Sequence, residues 1–168
     1  INKIKKKHKI KKIYYYSEIG EPSYQFLEKE KKNFKFKNKA KFDLFISIGG
    51  GSTIDFSKGL AVVSKNPGNA LKYMGFPVLR NKPVPIIAIP TNCSTGSEVT
   101  FNAVFTDKKN KKKLGINSKY NYPILSIYDP KLVGLANDQI IFYSSCASLM
   151  RALETYVSRD SNIITKFY

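Results

Sequence analysis

Three consecutive glycines, Gly49, Gly50 and Gly51, precede Ser52 and Thr53 between an apolar run and a stretch of helical spacing. Glycine tolerates positive φ and puts no Cβ between the backbone and a ligand. A helix starting here would offer free N–H groups and its positive dipole end to an anion, usually a phosphate. A tight strand-to-helix turn without a ligand would use the same residues. A second stretch, Pro90-Thr91-Asn92-Cys93-Ser94-Thr95-Gly96-Ser97-Glu98, follows another apolar run. Its hydroxyls and amide, with backbone N–H groups, can hold a ribose or a carboxamide. Its alternative is a polar loop whose hydroxyls bond their own backbone.

Both stretches need strands to position them. Residues 44–48 predict a short parallel strand covered on both faces. Ser52 or Thr53 is the expected cap of the following helix, with Ile54, Phe56, Leu60, Ala61 and Val63 facing inward. Residues 84–89, between Pro83 and Pro90, predict a second buried strand, and residues 124–128 a third, closed by Asp129-Pro130. Upstream, residues 13–16 are β-prone, and Pro22-Ser23 fits the start of a helix that runs into a charged loop by residue 40. Pro67-Gly68 breaks the central helix, and residues 69–82 read as a loop with a short helical piece. Residues 101–106 and 113–116 pair as a β-hairpin around a polar turn. From Asn137 onward the spacing is helical, with Leu149, Ala152, Leu153, Tyr156 and Val157 on one stripe. Strands alternating with helices give an α/β fold with a parallel sheet.

Composition narrows the function classes. The chain has 168 residues, 42% of them hydrophobic, enough for one domain with a real core. No apolar run approaches the roughly 20 residues that span a bilayer, and the lysine-rich start lacks the features of a secretory signal. Cys93 and Cys146 have no short spacing, which suggests a reducing compartment, the cytoplasm, and no zinc knuckle. The net charge of +17 comes from lysine runs on loops and termini, with only three arginines. Arginine is the main base-reading residue, so nucleic acid is a disfavoured partner.

Taken together, Gly-Gly-Gly-Ser-x-x-Asp-x-x-Lys at 49–58 and Pro-Thr-x-x-x-Thr-Gly-Ser-Glu at 90–98 resemble the iron-containing alcohol dehydrogenase family. Lys113 with Ile116, Asp129-Pro130-x-Leu132, and Ala152-Leu153-Glu154-Thr155-Tyr156-Val157-Ser158 match further family motifs in order. The resemblance covers about residues 13–162 and implies a Rossmann-like nucleotide-binding domain followed by an all-helical domain. On that reading residues 1–12 are a basic tract, 13–136 an incomplete nucleotide-binding domain, and 137–168 the start of the helical one. The implied chemistry is NAD(P)-dependent oxidation of a small alcohol or reduction of an aldehyde. By resemblance Gly50, Gly51 and Ser52 cradle the pyrophosphate, Thr91, Asn92 and Thr95 line the cofactor, and Lys113 approaches its ribose side. Asn92 stands where the family has a threonine. For Asp55 and Lys58, structural and cofactor roles are both open.

The family's metal, iron or zinc, is held by one Asp and three His. Registering the last helix on Glu154, Tyr156 and Ser158 puts the Asp position at Ala147 and the first His position at Arg151. Ala147 has no donor atom and Arg151 no free lone pair, and the chain's one histidine, His8, lies far upstream. The expectation is therefore no metal held by this chain. Arg151 becomes a candidate catalytic cation, either an electrostatic surrogate or a partner for an anionic phosphonate or carboxylate aldehyde. The chain reads as a middle slice of such an enzyme, partial or inactive, and as a possible homo-oligomer. The alternative from another class is a non-catalytic nucleotide-binding or interaction module.

Overall fold

The computed structural model describes residues 10, 12–18, 20–34, 42–93 and 96–167. Most of the basic tract at 1–12, including His8, and the end of the charged loop at 35–41 lie outside the described residues. Helix α1 (Tyr24–Asn33) begins where Pro22-Ser23 predicts. The Ser23 hydroxyl accepts from the Phe26 N–H at 3.1 Å, satisfying one of the four N–H groups that a helix start leaves open. Glu18 fixes this cap, accepting from the Ser23 N–H at 2.8 Å and its hydroxyl at 2.6 Å. Lys108 reaches the same carboxylate at 2.6 Å from the hairpin turn.

The strand expected at 13–16 does not form, and residues 12–18 carry no regular secondary structure. Strand propensity measures fit to a half-buried surface rather than a backbone preference. Here Tyr14 and Tyr16 find that surface on the Phe56 ring, with centroids 5.9 and 5.1 Å away.

Strand β1 (Phe45–Gly49) leads through helix α2 (Gly51–Lys65) to strand β2 (Ile86–Pro90). The 3-10 turn Ala70–Tyr73 is the expected helical piece, and the expected hairpin forms around its polar turn with strands shorter than the 101–106 and 113–116 expected, β3 (Thr106–Asp107) and β4 (Lys112–Lys113). Backbone bonds between Ala103 and Ile116 continue the hairpin. Strand β5 (Leu125–Ser126) completes a parallel three-stranded sheet of order β1-β2-β5. Asp129 caps the short helix α3 (Pro130–Val133), Asn137 caps α4 (Asp138–Val157), and α5 (Ile163–Phe167) follows. No described helix is long and apolar enough to cross a membrane.

The expectation that β1 is covered on both faces is corrected. Phe45 and Ser47 face α2, but Ile46 and Ile48 are 55% and 58% exposed. Their registered neighbours Ile87 and Ile89 share that face with Leu125. The core lies entirely on the other side, where Tyr24, Leu27, Phe56, Leu60, Val62 and Phe105 are buried. The stripe on α4 is also open, with Leu149, Leu153 and Tyr156 exposed.

Gly59 lets α2 press against this core. A Cβ there would collide with the Phe105 ring and lie 3.1 Å from Leu27 Cδ2. Gly59→Ala gains about 1 kcal/mol of helix propensity and loses more by crowding a ring that has nowhere to move. We expect net destabilisation of about 1–2 kcal/mol by urea unfolding. Buried Tyr24 and half-buried Tyr14 and Tyr16 give a pH prediction. Burial raises the Tyr14, Tyr16 and Tyr24 phenols above their ordinary value of 10.0. The unfolded phenols ionise first, so this stability is complete below pH 10.0 and is lost as pH rises beyond it. Tyrosinate absorbance should then rise together with loss of helical circular dichroism.

Candidate functional site

The sheet's C-terminal edge is where open α/β folds bind ligands, and both nominated stretches meet there. Gly49 ends β1 at φ +155°, and a Cβ on it would lie 2.7 Å from the Thr53 side chain. Gly50, not Ser52 or Thr53, caps α2. Its carbonyl accepts from the Thr53 and Ile54 N–H groups at 3.0 and 3.1 Å, so the helix starts early and both hydroxyl residues fall inside its first turn. No side chain bonds the cap. The N–H groups of Gly51 and Ser52 precede the first residue that has a helical acceptor. This N-terminus behind three glycines has no side-chain cap, and of its two free positions Gly51 is buried and Ser52 half-buried.

The polar loop is bound to this turn. The Thr91 N–H donates to the Gly49 carbonyl at 3.1 Å. Asn92 lies over Gly50, and a Cβ at Gly50 would be 3.1 Å from its amide nitrogen. Gly50, Gly51, Ser52, Thr91 and Asn92 are thus brought together, while Ser94 and Thr95 lie outside the described residues. Beside Asn92 opens a cleft of about 260 Å³, lined by Pro90, Asn92, Cys93, Tyr128, Asp129, Pro130 and Val133. The Tyr128 hydroxyl donates to Glu98 Oε1 at 3.1 Å along its margin.

Helix α4 reaches the same loop. The Ser148 hydroxyl shares its proton between the Cys93 carbonyl at 3.2 Å and the Ser144 carbonyl of its own helix at 3.1 Å, and Ser144, one turn earlier, is buried. Ala147 and Arg151, four residues apart, share one face of α4 beside Ser148, and both are exposed. Lys113 is held elsewhere, in β4, ion-paired with Glu21 at 2.5 Å. Among the described residues no three His, Cys, Asp or Glu side chains gather to hold a metal ion.

Behind the turn, Asp55 and Lys58 occupy successive positions on the buried face of α2. Lys58 is fully buried and donates to the Asn102 carbonyl at 2.7 Å, the Thr100 carbonyl at 2.9 Å and the Ser97 hydroxyl at 3.3 Å. Asp55 lies 3.7 Å away and accepts from the Ser97 hydroxyl and, at 3.0 Å, from the Val104 N–H. Burial pulls the Lys58 ammonium down to about 8 and pushes the Asp55 carboxyl up. Two carbonyls and the Asp55 carboxylate around its Nζ favour the charged form of Lys58.

The residues missed by sequence reasoning are Tyr128, Val133 and Ser148. Asp129-Pro130 marked a strand end at the correct edge, which could have pointed to the first two. Ser148 carried no signal, because a helical serine that bonds a distant carbonyl looks like any other.

The sequence matches the model of the family "Iron-containing alcohol dehydrogenase" over residues 2–130. It is 36% identical over 123 residues to a 1,3-propanediol dehydrogenase of Citrobacter freundii, covering 73% of this chain and 32% of that protein. The structure resembles an alcohol dehydrogenase from Oenococcus oeni at a TM-score of 0.85 and 30% identity, covering 99% of this chain and 42% of the other. It also resembles a sulfoacetaldehyde reductase from Bifidobacterium kashiwanohense in complex with NAD+, at a TM-score of 0.74 and 30% identity, covering 82% and 36%. The chain spans about a third of the length of the curated relatives it matches. With the glycine turn, the polar loop and the parallel sheet in one arrangement, the chain belongs to the iron-containing alcohol dehydrogenase family.

Proposed function

We propose that the chain binds NAD or NADP for the oxidation of a small alcohol or the reduction of an aldehyde. The observation that carries this is the uncapped N-terminus of α2 at Gly50-Gly51-Ser52, with Thr91 and Asn92 bonded or packed against it. The fit is physical: a Cβ at Gly50 would press into Asn92, and the open N–H groups suit a pyrophosphate. Gly51 and Ser52 bind it through the backbone, and Asn92 orients what extends toward the cleft; the same role for Thr95 rests on the family resemblance alone. Lys113 is the least supported of the nominated cofactor residues, since Glu21 holds it in the hairpin. A bound nicotinamide would supply the hydride acceptor or donor beside the apolar Pro90, Pro130 and Val133 of the cleft. The residues at the family's metal positions do not fit a metal ion, because Ala147 has no donor atom and Arg151 is a cation. In a reducing cytoplasmic setting the free thiols of Cys93 and Cys146 stay reduced.

A narrower reading concerns Arg151, which lies three residues, nearly one helical turn, beyond Ser148 on α4. There it would meet an anionic group on the substrate, the carboxylate or phosphonate of an aldehyde.

Calorimetric titration with NADH and NADPH tests the first reading. We expect binding that iron(II) or zinc leaves unchanged. Ser52→Asp should weaken it by at least about tenfold, while the melting temperature holds or rises, because a carboxylate suits a helix start. No binding of either cofactor by the native chain would overturn the proposal. For Arg151, an anionic aldehyde should protect the NADH-loaded chain against heat, and Arg151→Gln should remove that protection while NADH affinity is unchanged. Equal protection of both forms would refute the narrower reading.

A further inference from the structure

Helix α4 is 20 residues long, and of these only Ser144 is buried. Ser148, one turn later, meets the polar loop, so these two serines define the flank that rests on the chain. Roughly 140° round the helix from them, Phe142, Cys146, Leu149, Leu153 and Tyr156 follow one another at intervals of four, three, four and three residues. That alternation keeps one apolar line facing a partner helix and is the seam of a coiled coil. Every member is exposed, Phe142 by 63% and Leu149 by 61%. Tyr143 and Met150 widen the seam on one side. The small Ser145 and Ala152 border it on the other, where a neighbouring backbone can come close. Lys166 of α5 stands 5.9 Å over the Tyr156 ring, where the seam ends.

We infer that this seam is an interface between two copies of the chain. A helix in water draws most of its stability from packing an apolar face rather than from propensity, and a second α4 supplies that packing. Nothing charged borders the seam: Arg151 and Glu154 lie on other faces, and Asp138 stands a turn before it begins. Charges at the margins are what select a different partner helix. A margin without them matches a copy of itself, as a two-fold interface requires. The charge balance permits the approach. Residues 134–168 set Arg151, Arg159 and Lys166 against Asp138, Glu154 and Asp160, so they are neutral while the rest of the chain carries the whole +17. The same balance disfavours an anionic membrane surface, which takes helices whose polar face is rich in Lys and Arg. Cys146 lies close to the middle of α4. Two helices that overlap fully, parallel or antiparallel, therefore hold the two Cys146 residues within about 5 Å of each other along the axis.

Sedimentation velocity of the whole chain over a range of concentrations tests this. We expect a reversible dimer of twice the 19.0 kDa chain mass. Leu149→Lys should weaken the dimer by at least about thirtyfold, and Leu153→Lys repeats the test should the first variant fail to fold. Added salt should strengthen the association, because it screens the charge on the rest of the chain. A short bis-maleimide should join two native chains; Cys146→Ser should stop the joining and Cys93→Ser should not. A chain that stays monomeric at its highest soluble concentration would overturn the inference. So would a dimer that both lysine variants retain, which would place the contact on the open sheet face of Ile46 and Ile48, or cross-linking that proceeds through Cys93.

Discussion

The ammonium of Lys58 has no access to water, and satisfying it constrains much of the rest. A buried cation requires acceptors that cannot drift. The chain provides them from the backbone that follows the 3-10 turn Ser97–Val99, a segment that Ser126 and Tyr128 also hold through Glu98. Asp55 offsets the charge, and Ser97 joins the two. That one helix carries both this pair and the glycine turn explains how two stretches forty residues apart keep their relation. The sheet adds one further tie after the loop has left β2 at Pro90: the Ser126 hydroxyl of β5 donates to the Glu98 carbonyl at 2.5 Å.

The rest of the core serves to hold α2 in place. Aromatic rings from three parts of the chain converge on it: Tyr14 and Tyr16 from the N-terminal segment, Phe26 from α1 and Phe42 with Phe45 at β1. Gly59 permits the close approach to Phe105, and the Glu18–Ser23 bonds tie α1 to the chain before it. Position of the helix, more than its own propensity, sets the geometry of the turn.

Much of this was legible in the sequence, for reasons that particular residues make plain. Ser23, Asp129 and Asn137 precede helices and cap them, because a short polar side chain can reach the N–H groups of the first turn. The strand–glycine–helix unit showed in its residue types, since only glycine clears the Thr53 side chain at Gly49. The cap of α2 was misplaced because hydroxyl residues advertise a cap more loudly than Gly50 does. Tyr14 and Tyr16 had strand propensity but no neighbouring strand to pair with, and pairing is a tertiary fact. The Lys58 contacts were illegible for the same reason: three carbonyl and hydroxyl acceptors 39 to 44 residues away leave no local pattern.

The uncovered face of the sheet has a calorimetric consequence. Ile46, Ile48 and Leu125 remain in water after folding, so the chain transfers less apolar surface on unfolding than its length implies. The heat capacity of unfolding follows that surface and should fall below the usual ~12–15 cal/mol/K per residue. A smaller value flattens the dependence of stability on temperature. For a given melting temperature and melting enthalpy, the chain then keeps more of its stability on cooling, and the temperature at which cold would unfold it moves further down.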